Sequence, residues 1–355
     1  MNRSPTRVQR KAFTLVEMMV VVAIIALLLA ALLPAFGIVK KNAKIAQTNA
    51  QIKALDVGIN AFRAEAALGG ALPPSASDKD SGAGRQLIAN PQADAATPEI
   101  RVSGAHLLVH AMIGADGLGT PGFRDVSSPP DGKWSNDTHK KFEAGAGKSG
   151  LYAVDPAGKE KFPRYGGSGY VDEKMKESAK SIQELADKGV VVNPDILDQN
   201  VAKNERVFLD PWDHPILYYK ANASALRMTG ASGKPPGIYW QEDNGIITGS
   251  DSSLRGDPGL DFGQGTEGTC NGGKCYHHIA GSAGPEPSLG QTANWLETFR
   301  ADTTYDHSFA RFIIDGSVKA RPTPVQKDSY LLISAGPDSR YGTDDDVLNW
   351  TRKTD

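Results

Sequence analysis

Four carboxylates crowd the C-terminal end of this chain: Asp338, Asp344, Asp345 and Asp346, in "SYLLISAGPDSRYGTDDDVLNW". At neutral pH they repel one another unless solvent or a cation neutralises them, and hard oxygen donors on a flexible loop suit Ca2+. The spacing is not that of an EF-hand, because Arg340 and Gly342 stand where that loop needs acids. A solvated surface loop is the alternative. Cys270 and Cys275, in "CNGGKC", are the two cysteines of the chain. A pair this close suits a small disulfide loop in an oxidising compartment, whereas zinc would need two further ligands. His277 and His278 follow one residue beyond Cys275, so both readings stay open.

Three other patterns imitate reactive sites. His106 and His110 have the i, i+4 spacing of a metal-binding helix, but "HLLVH" lacks the glutamate of a metalloprotease and reads as two packed or surface histidines. "FEAGAGKSG" puts Phe142 where a phosphate-binding loop needs its first glycine, and no apolar strand leads into it. "GGSGY" puts Tyr170 where a nucleophile elbow needs a glycine. No catalytic constellation emerges, and the chain reads as a non-enzyme.

The most unusual acid is Glu17, near the start of "KAFTLVEMMVVVAIIALLLAALLPAF". An acid at membrane depth is expensive and needs a partner. Residues 13–36 would span about 36 Å as a helix, against a hydrocarbon core of roughly 30 Å. Arg3, Arg7, Arg10 and Lys11 precede the run with no acid among them, which keeps the start of the chain in the cytoplasm. The apolar run is longer than that of a secretory signal peptide and leads into a helical pattern, so a retained anchor is the better reading. Beyond it, Ile38, Ile45, Ile52, Leu55, Ile59 and Phe62 recur at near-helical spacing until Gly69 and Gly70. One helix over roughly 13–67 is expected, half apolar and half amphipathic. In the 355 residues, 38 glycines and 22 prolines imply many turns and long loops. The net charge of −2 and the lack of a basic, aromatic-interleaved patch argue against nucleic acid as a partner.

"KAFTLVE" resembles the processing site of type IV prepilins and type II secretion pseudopilins. The resemblance implies cleavage between Ala12 and Phe13 by a prepilin peptidase and methylation of the Phe13 amine. Ala12 departs from the glycine usual before the cut. Glu17 becomes the fifth residue of the mature chain, and its carboxylate would offset a neighbouring subunit's Phe13 amine and set the stagger between subunits. "RVFLDPWDHPILYYK" is expected as two strands, Val207–Leu209 and Ile216–Tyr219, around a turn begun by Asp210. It is similar to the "DPW" hairpin of major pseudopilins, with Asp213 and His214 in place of the usual Gly-Asn. The stretch from Ser334 to Asp346 is similar to their calcium loop, which implies structural Ca2+ held by Asp338, Asp344, Asp345 and Asp346.

The expected fold is α+β and pilin-like: a long N-terminal helix packed on a C-terminal antiparallel sheet with a large loop-rich insertion. The chain divides into a leader, 1–12; a transmembrane or filament-core helix, 13–36; its amphipathic continuation, 37–68; a variable mixed region, 69–205; and a sheet region, 206–355. The last holds an insertion, 221–328, and the acidic loop, 334–350. "GAHLLVHAMIG" and "KMKESAKSIQELADKG" each read as one helix. The resemblance implies a single-pass inner-membrane protein with a periplasmic domain. Its partners would be the prepilin peptidase, other pseudopilins, the assembly platform and the lipid bilayer. The competing reading is a membrane-anchored periplasmic binding domain or enzyme that uses a pilin-type export signal.

Overall fold

The computed structural model describes residues 15–64, 70, 72–73, 75, 87–89, 99–101, 103–113, 123–124, 153–154, 170–190, 206–223, 225, 229–230, 237–248, 309–318, 320 and 322–352. The chain divides into two units, Met1–Ala46 and Gln47–Asp355. Helix α1 is Leu15–Ala64. In the first unit the large apolar side chains described up to Val39 are exposed all round, from Leu15 (76%) through Leu29 (54%) and again at Phe36, Ile38 and Val39 (64%). Water is a poor solvent for such a surface, which calls for lipid or other chains around it.

In the second unit α1 buries Thr48, Ile52, Leu55, Ile59 and Phe62, alternately four and three residues apart and so on one helical face. This is the C-terminal part of the expected stripe; Ile38 lies in the other unit and is exposed. Gln51 Nε2 donates to the Leu209 carbonyl at 3.1 Å, and Asp56 accepts from the Tyr330 hydroxyl at 2.9 Å. Phe62 meets Tyr170 edge to face, with ring centroids 5.4 Å apart.

After α1 come β1 (Leu87–Ala89) and β2 (Glu99–Arg101), which pair antiparallel, and then helix α2 (Gly104–Ile113). All ten residues of α2 are buried. Its N-terminus sits so close to the backbone that a Cβ on Gly104 would lie 2.2 Å from the Tyr218 carbonyl. Asn244 bridges the gap, accepting from Ala105 N and donating to that same carbonyl. Strands β3 (Phe123–Arg124) and β4 (Ala153–Val154) form a second antiparallel pair.

The run read as one helix, "KMKESAKSIQELADKG", is broken. Helix Glu173–Glu177 ends at Ser178, β5 (Ala179–Ser181) follows, and helix Ile182–Asp187 resumes, capped by the Ser181 hydroxyl on Glu184 N. The cause is tertiary: β5 is captured by β6 (Arg206–Phe208) in an antiparallel ladder, which outweighs local helix preference.

Strand β7 (Leu217–Lys220) follows β6 through the expected turn. Asp210 N donates to the His214 carbonyl and Ile216 N to the Phe208 carbonyl. Pairing across the turn is limited to the Leu209–Pro215 bridge, since proline offers no N–H to continue a ladder. Instead β7 pairs antiparallel with β10 (Tyr330–Ser334), and β10 with β11 (Val347–Leu348), giving the order β11-β10-β7. Every residue of β10 is buried, so the strand is covered on both faces.

Between β7 and β10 lie β8 (Thr229–Gly230) and β9 (Tyr239–Trp240), which are parallel, and short helical turns at Gln241–Asn244, Gly245–Thr248 and Phe309–Ile313. These segments do more than decorate the sheet. Tyr239, Ile246, Ile247, Phe309, Phe312 and Ile313 share one core with Leu217, Tyr219, Leu331 and Ile333. The architecture is α+β: a long N-terminal helix, then mixed helices and antiparallel sheet.

Candidate functional site

Two places concentrate the residues with functional chemistry. The first is the start of α1. Glu17 lies in its first turn, where a carboxylate complements the positive helix end. Ala12 and Phe13 lie outside the described residues. Among the described residues no helix is long and apolar enough to cross a membrane. The first unbroken run of described side chains covers 15–30, about 24 Å of helix, and the side chains of 31–35 lie outside the description.

The second place is the loop between β10 and β11. A single 3-10 turn, Gly336–Asp338, starts it, and Ser339 reverses the chain in the left-handed region at φ 64°. Gly336 is also left-handed, at φ 65°, and a Cβ there would lie 2.2 Å from the Asp345 carbonyl. Only glycine tolerates both demands. This fold-back sets the two ends of the acidic run face to face. Carboxylate oxygens of Asp338, Asp345 and Asp346 lie within 4.8 Å of one another.

Backbone donors orient all three. Arg340 N donates to Asp338 (2.8 Å), Asp338 N to Asp345 (3.1 Å) and Gly342 N to Asp346 (2.7 Å). The Thr343 hydroxyl stands between two of them, 2.7 Å from Asp345 and 3.3 Å from Asp346. Burial pushes the Asp346 carboxyl well above the usual carboxylate range; the Gly342 N–H opposes this, and the Asp338 and Asp345 charges add to it. Asp338 is also raised, first by burial and then by Asp345. The fourth expected acid is elsewhere: Asp344 is 87% exposed and accepts from Arg352 Nη1 at 3.1 Å. Arg352 also donates to the Thr343 carbonyl and lies over the Phe312 ring.

Chemically the cluster is a set of hard oxygen donors whose charges are mutually destabilising. That donor set fits a divalent cation of the Ca2+ type, which would favour the ionised carboxylates.

The loop is tied to the β6–β7 turn. Ser334 Oγ donates to Asp210 at 2.7 Å, and the buried Tyr341 hydroxyl donates to the Pro215 carbonyl at 2.5 Å. Asp210 also accepts from Trp212 N and His214 N, yet burial still lifts its pKa to about 6. Ser334, His214 and Asp210 imitate a hydrolase trio by composition only. The serine donates to the aspartate rather than to the histidine, whose Nδ1 is 3.9 Å from Asp210.

Sequence reasoning missed Thr343, Ser334, Tyr341 and the long-range role of Asp210. The hydroxyl inside "GTDDD" was the one local sign. His106 is a core residue: burial, with a smaller contribution from His110, lowers its pKa to about 3, and its Nδ1 faces the Ser103 N–H and hydroxyl. An Nδ1 that accepts from a backbone N–H leaves the proton on Nε2, which suits a donor rather than a metal ligand. Cys270, Cys275, His277, His278 and the Gly147-Lys148-Ser149 stretch lie outside the described residues.

Comparison with known proteins bears on the first place. The family model of the prokaryotic N-terminal methylation motif matches residues 7–33. The chain therefore carries the membrane-anchored signal of type IV pilins and pseudopilins, and that signal implies processing by prepilin peptidase and assembly with other pilin-like subunits. No curated protein and no solved structure matches the chain.

Proposed function

We propose that this chain is a pseudopilin: a structural subunit that is cut between Ala12 and Phe13, methylated on Phe13, and assembled into a short periplasmic filament. The filament would support protein secretion through a type II or related pilus-type machine, with the chain performing no chemistry itself. The observation that carries the reading is the methylation motif at residues 7–33 running into α1, whose large apolar side chains from Leu15 to Leu29 are exposed on every side. An apolar helix with one acid in its first turn suits a life between bilayer and filament core. In both settings Glu17 offsets the Phe13 amine of a neighbour, and either charge alone would cost several kcal/mol.

In this proposal α1 crosses the inner membrane once, with the leader in the cytoplasm and Gln47–Asp355 in the periplasm. The assembly platform and other pseudopilins would be its protein partners. Asp338, Asp345 and Asp346 would hold a structural Ca2+, with Asp344 bound to Arg352 outside that group. The cation would contribute rigidity to the C-terminal loop.

Intact-mass analysis of membrane-extracted protein tests the proposal. The mature chain should begin at methylated Phe13. Loss of Arg3, Arg7, Arg10 and Lys11 takes the net charge of −2 down by four, to −6. Retention of Met1–Ala12 in cells with an active prepilin peptidase would sink it. Glu17→Ala should abolish crosslinking between subunits and leave the melting of the folded domain unchanged.

A further inference from the structure

Immediately after the exposed apolar side chains Phe36, Ile38 and Val39, helix α1 carries Lys40, Lys41 and Lys44. At about 100° per residue the three fall within an arc of roughly 100° on one side of the helix, over about 6 Å of its length. Lys40 and Lys41 are exposed and Lys44 is half-buried. No acidic residue stands between Glu17 and Asp56. Once the leader is cut, these lysines are the sole cationic side chains in residues 13–46.

Their position is opposite to what membrane topology favours. Basic residues orient a span by staying on the cytoplasmic side, and Arg3, Arg7, Arg10 and Lys11 already do so. Three lysines at the far end of the apolar run oppose that orientation, so an orienting role does not account for them. A solvated helix face would not need all the charge on one side and of one sign. We propose that Lys40, Lys41 and Lys44 form a phosphate-binding collar for the anionic phospholipid headgroups of the outer leaflet.

Lysine suits this task, because its long stem lies along apolar surface while the ammonium reaches the headgroup level. The collar fixes the depth of the helix and holds processed subunits in the bilayer until assembly withdraws them. Each lysine near an anionic surface favours binding by roughly fivefold, and salt weakens the effect because exposed charges are screened. The inference rests on the membrane-anchor reading, and its test separates the two.

Chain isolated from cells is reconstituted into phosphatidylcholine vesicles containing trace spin-labelled phosphatidylglycerol or spin-labelled phosphatidylcholine. Electron spin resonance gives the relative association of each lipid with the protein. The wild type should prefer phosphatidylglycerol at least fivefold in low salt and lose most of that preference in 1 M NaCl, a level at which screening is short-ranged (about 3 Å). Lys40→Gln with Lys41→Gln and Lys44→Gln should lose it in low salt, and the three Lys→Arg changes should keep it. Equal preference in wild type and the glutamine variant overturns the collar, as does no preference in either. So does a glutamine variant whose lipid preference is unchanged while subunit crosslinking is lost, an outcome that assigns the lysines to a neighbouring subunit's acids. Release of wild-type chain from membranes by alkaline carbonate would instead refute the membrane anchor itself.

Discussion

Asp346 concentrates the electrostatic problem of the acidic loop. A carboxyl whose folded pKa lies above its unfolded value binds more protons when folded, so its contribution is complete at pH below the unfolded value and is lost as pH rises through the folded one. Burial raises both Asp346 and Asp338 in this sense. Without divalent cation, thermal melts between pH 4 and 8 should therefore show stability declining towards neutral pH. Millimolar Ca2+ should remove the decline, adding about 2.7 kcal/mol at a hundredfold excess over Kd. A flat pH profile in chelator, or a melt indifferent to Ca2+, would contradict the assignment. Asp345→Ala should abolish the calcium increment and Asp344→Ala should spare it, because Asp344 accepts from Arg352 outside the cluster. Asp210 obeys the same sign: its pKa of about 6 means stability falls as pH rises through that value. Asp210→Asn should flatten this part of the profile. The acids themselves were legible in the sequence, as an unbalanced charge. Which three converge was not, because that depends on the left-handed turns at Gly336 and Ser339 and on where Arg352 reaches.

Among the elements, α1 was the most readable, since Ile52, Leu55, Ile59 and Phe62 keep strict helical spacing. The strands expected at Val207–Leu209 and Ile216–Tyr219 form within a residue of those bounds, at Arg206–Phe208 and Leu217–Lys220. The stretch around Ala179–Ser181 misled because its residues suit a helix, and only a partner 29 residues away in sequence, Phe208 opposite Ala179, makes them a strand. The core contribution of Phe309–Ile313 was also hidden, as an isolated apolar cluster among loops carries no sign of what it packs on. Two substitutions probe how the elements are joined. Leu55→Ala removes a fully buried side chain from the face of α1 that packs in the folded domain and should cost about 2–5 kcal/mol in denaturant melts. Gly336→Ala meets the Asp345 carbonyl in a left-handed turn, so it should cost more than about 1 kcal/mol and also blunt the response to Ca2+. A Gly336→Ala protein with normal stability would mean that the loop closes by another path.

On the scale of the molecule, the sheet joins segments made far apart in time. Its middle strand, β10, pairs with β7 across more than a hundred residues, Leu332 opposite Tyr218, and β10 also receives α1 through Tyr330 and Asp56. Deleting the chain from Tyr330 onward removes two of three strands and the anchor for Asp56. The truncated protein should lose its cooperative melt entirely, and retention of a sharp transition would show that α1 and α2 suffice for a core. Ribosomes add about 5–20 residues per second, so Ala64 would be finished roughly 15–50 s before Tyr330 emerges. Through that interval Ile52, Leu55, Ile59 and Phe62 have no sheet to cover them, and the nascent chain needs a chaperone or the export machinery itself to keep its oldest segment from aggregating.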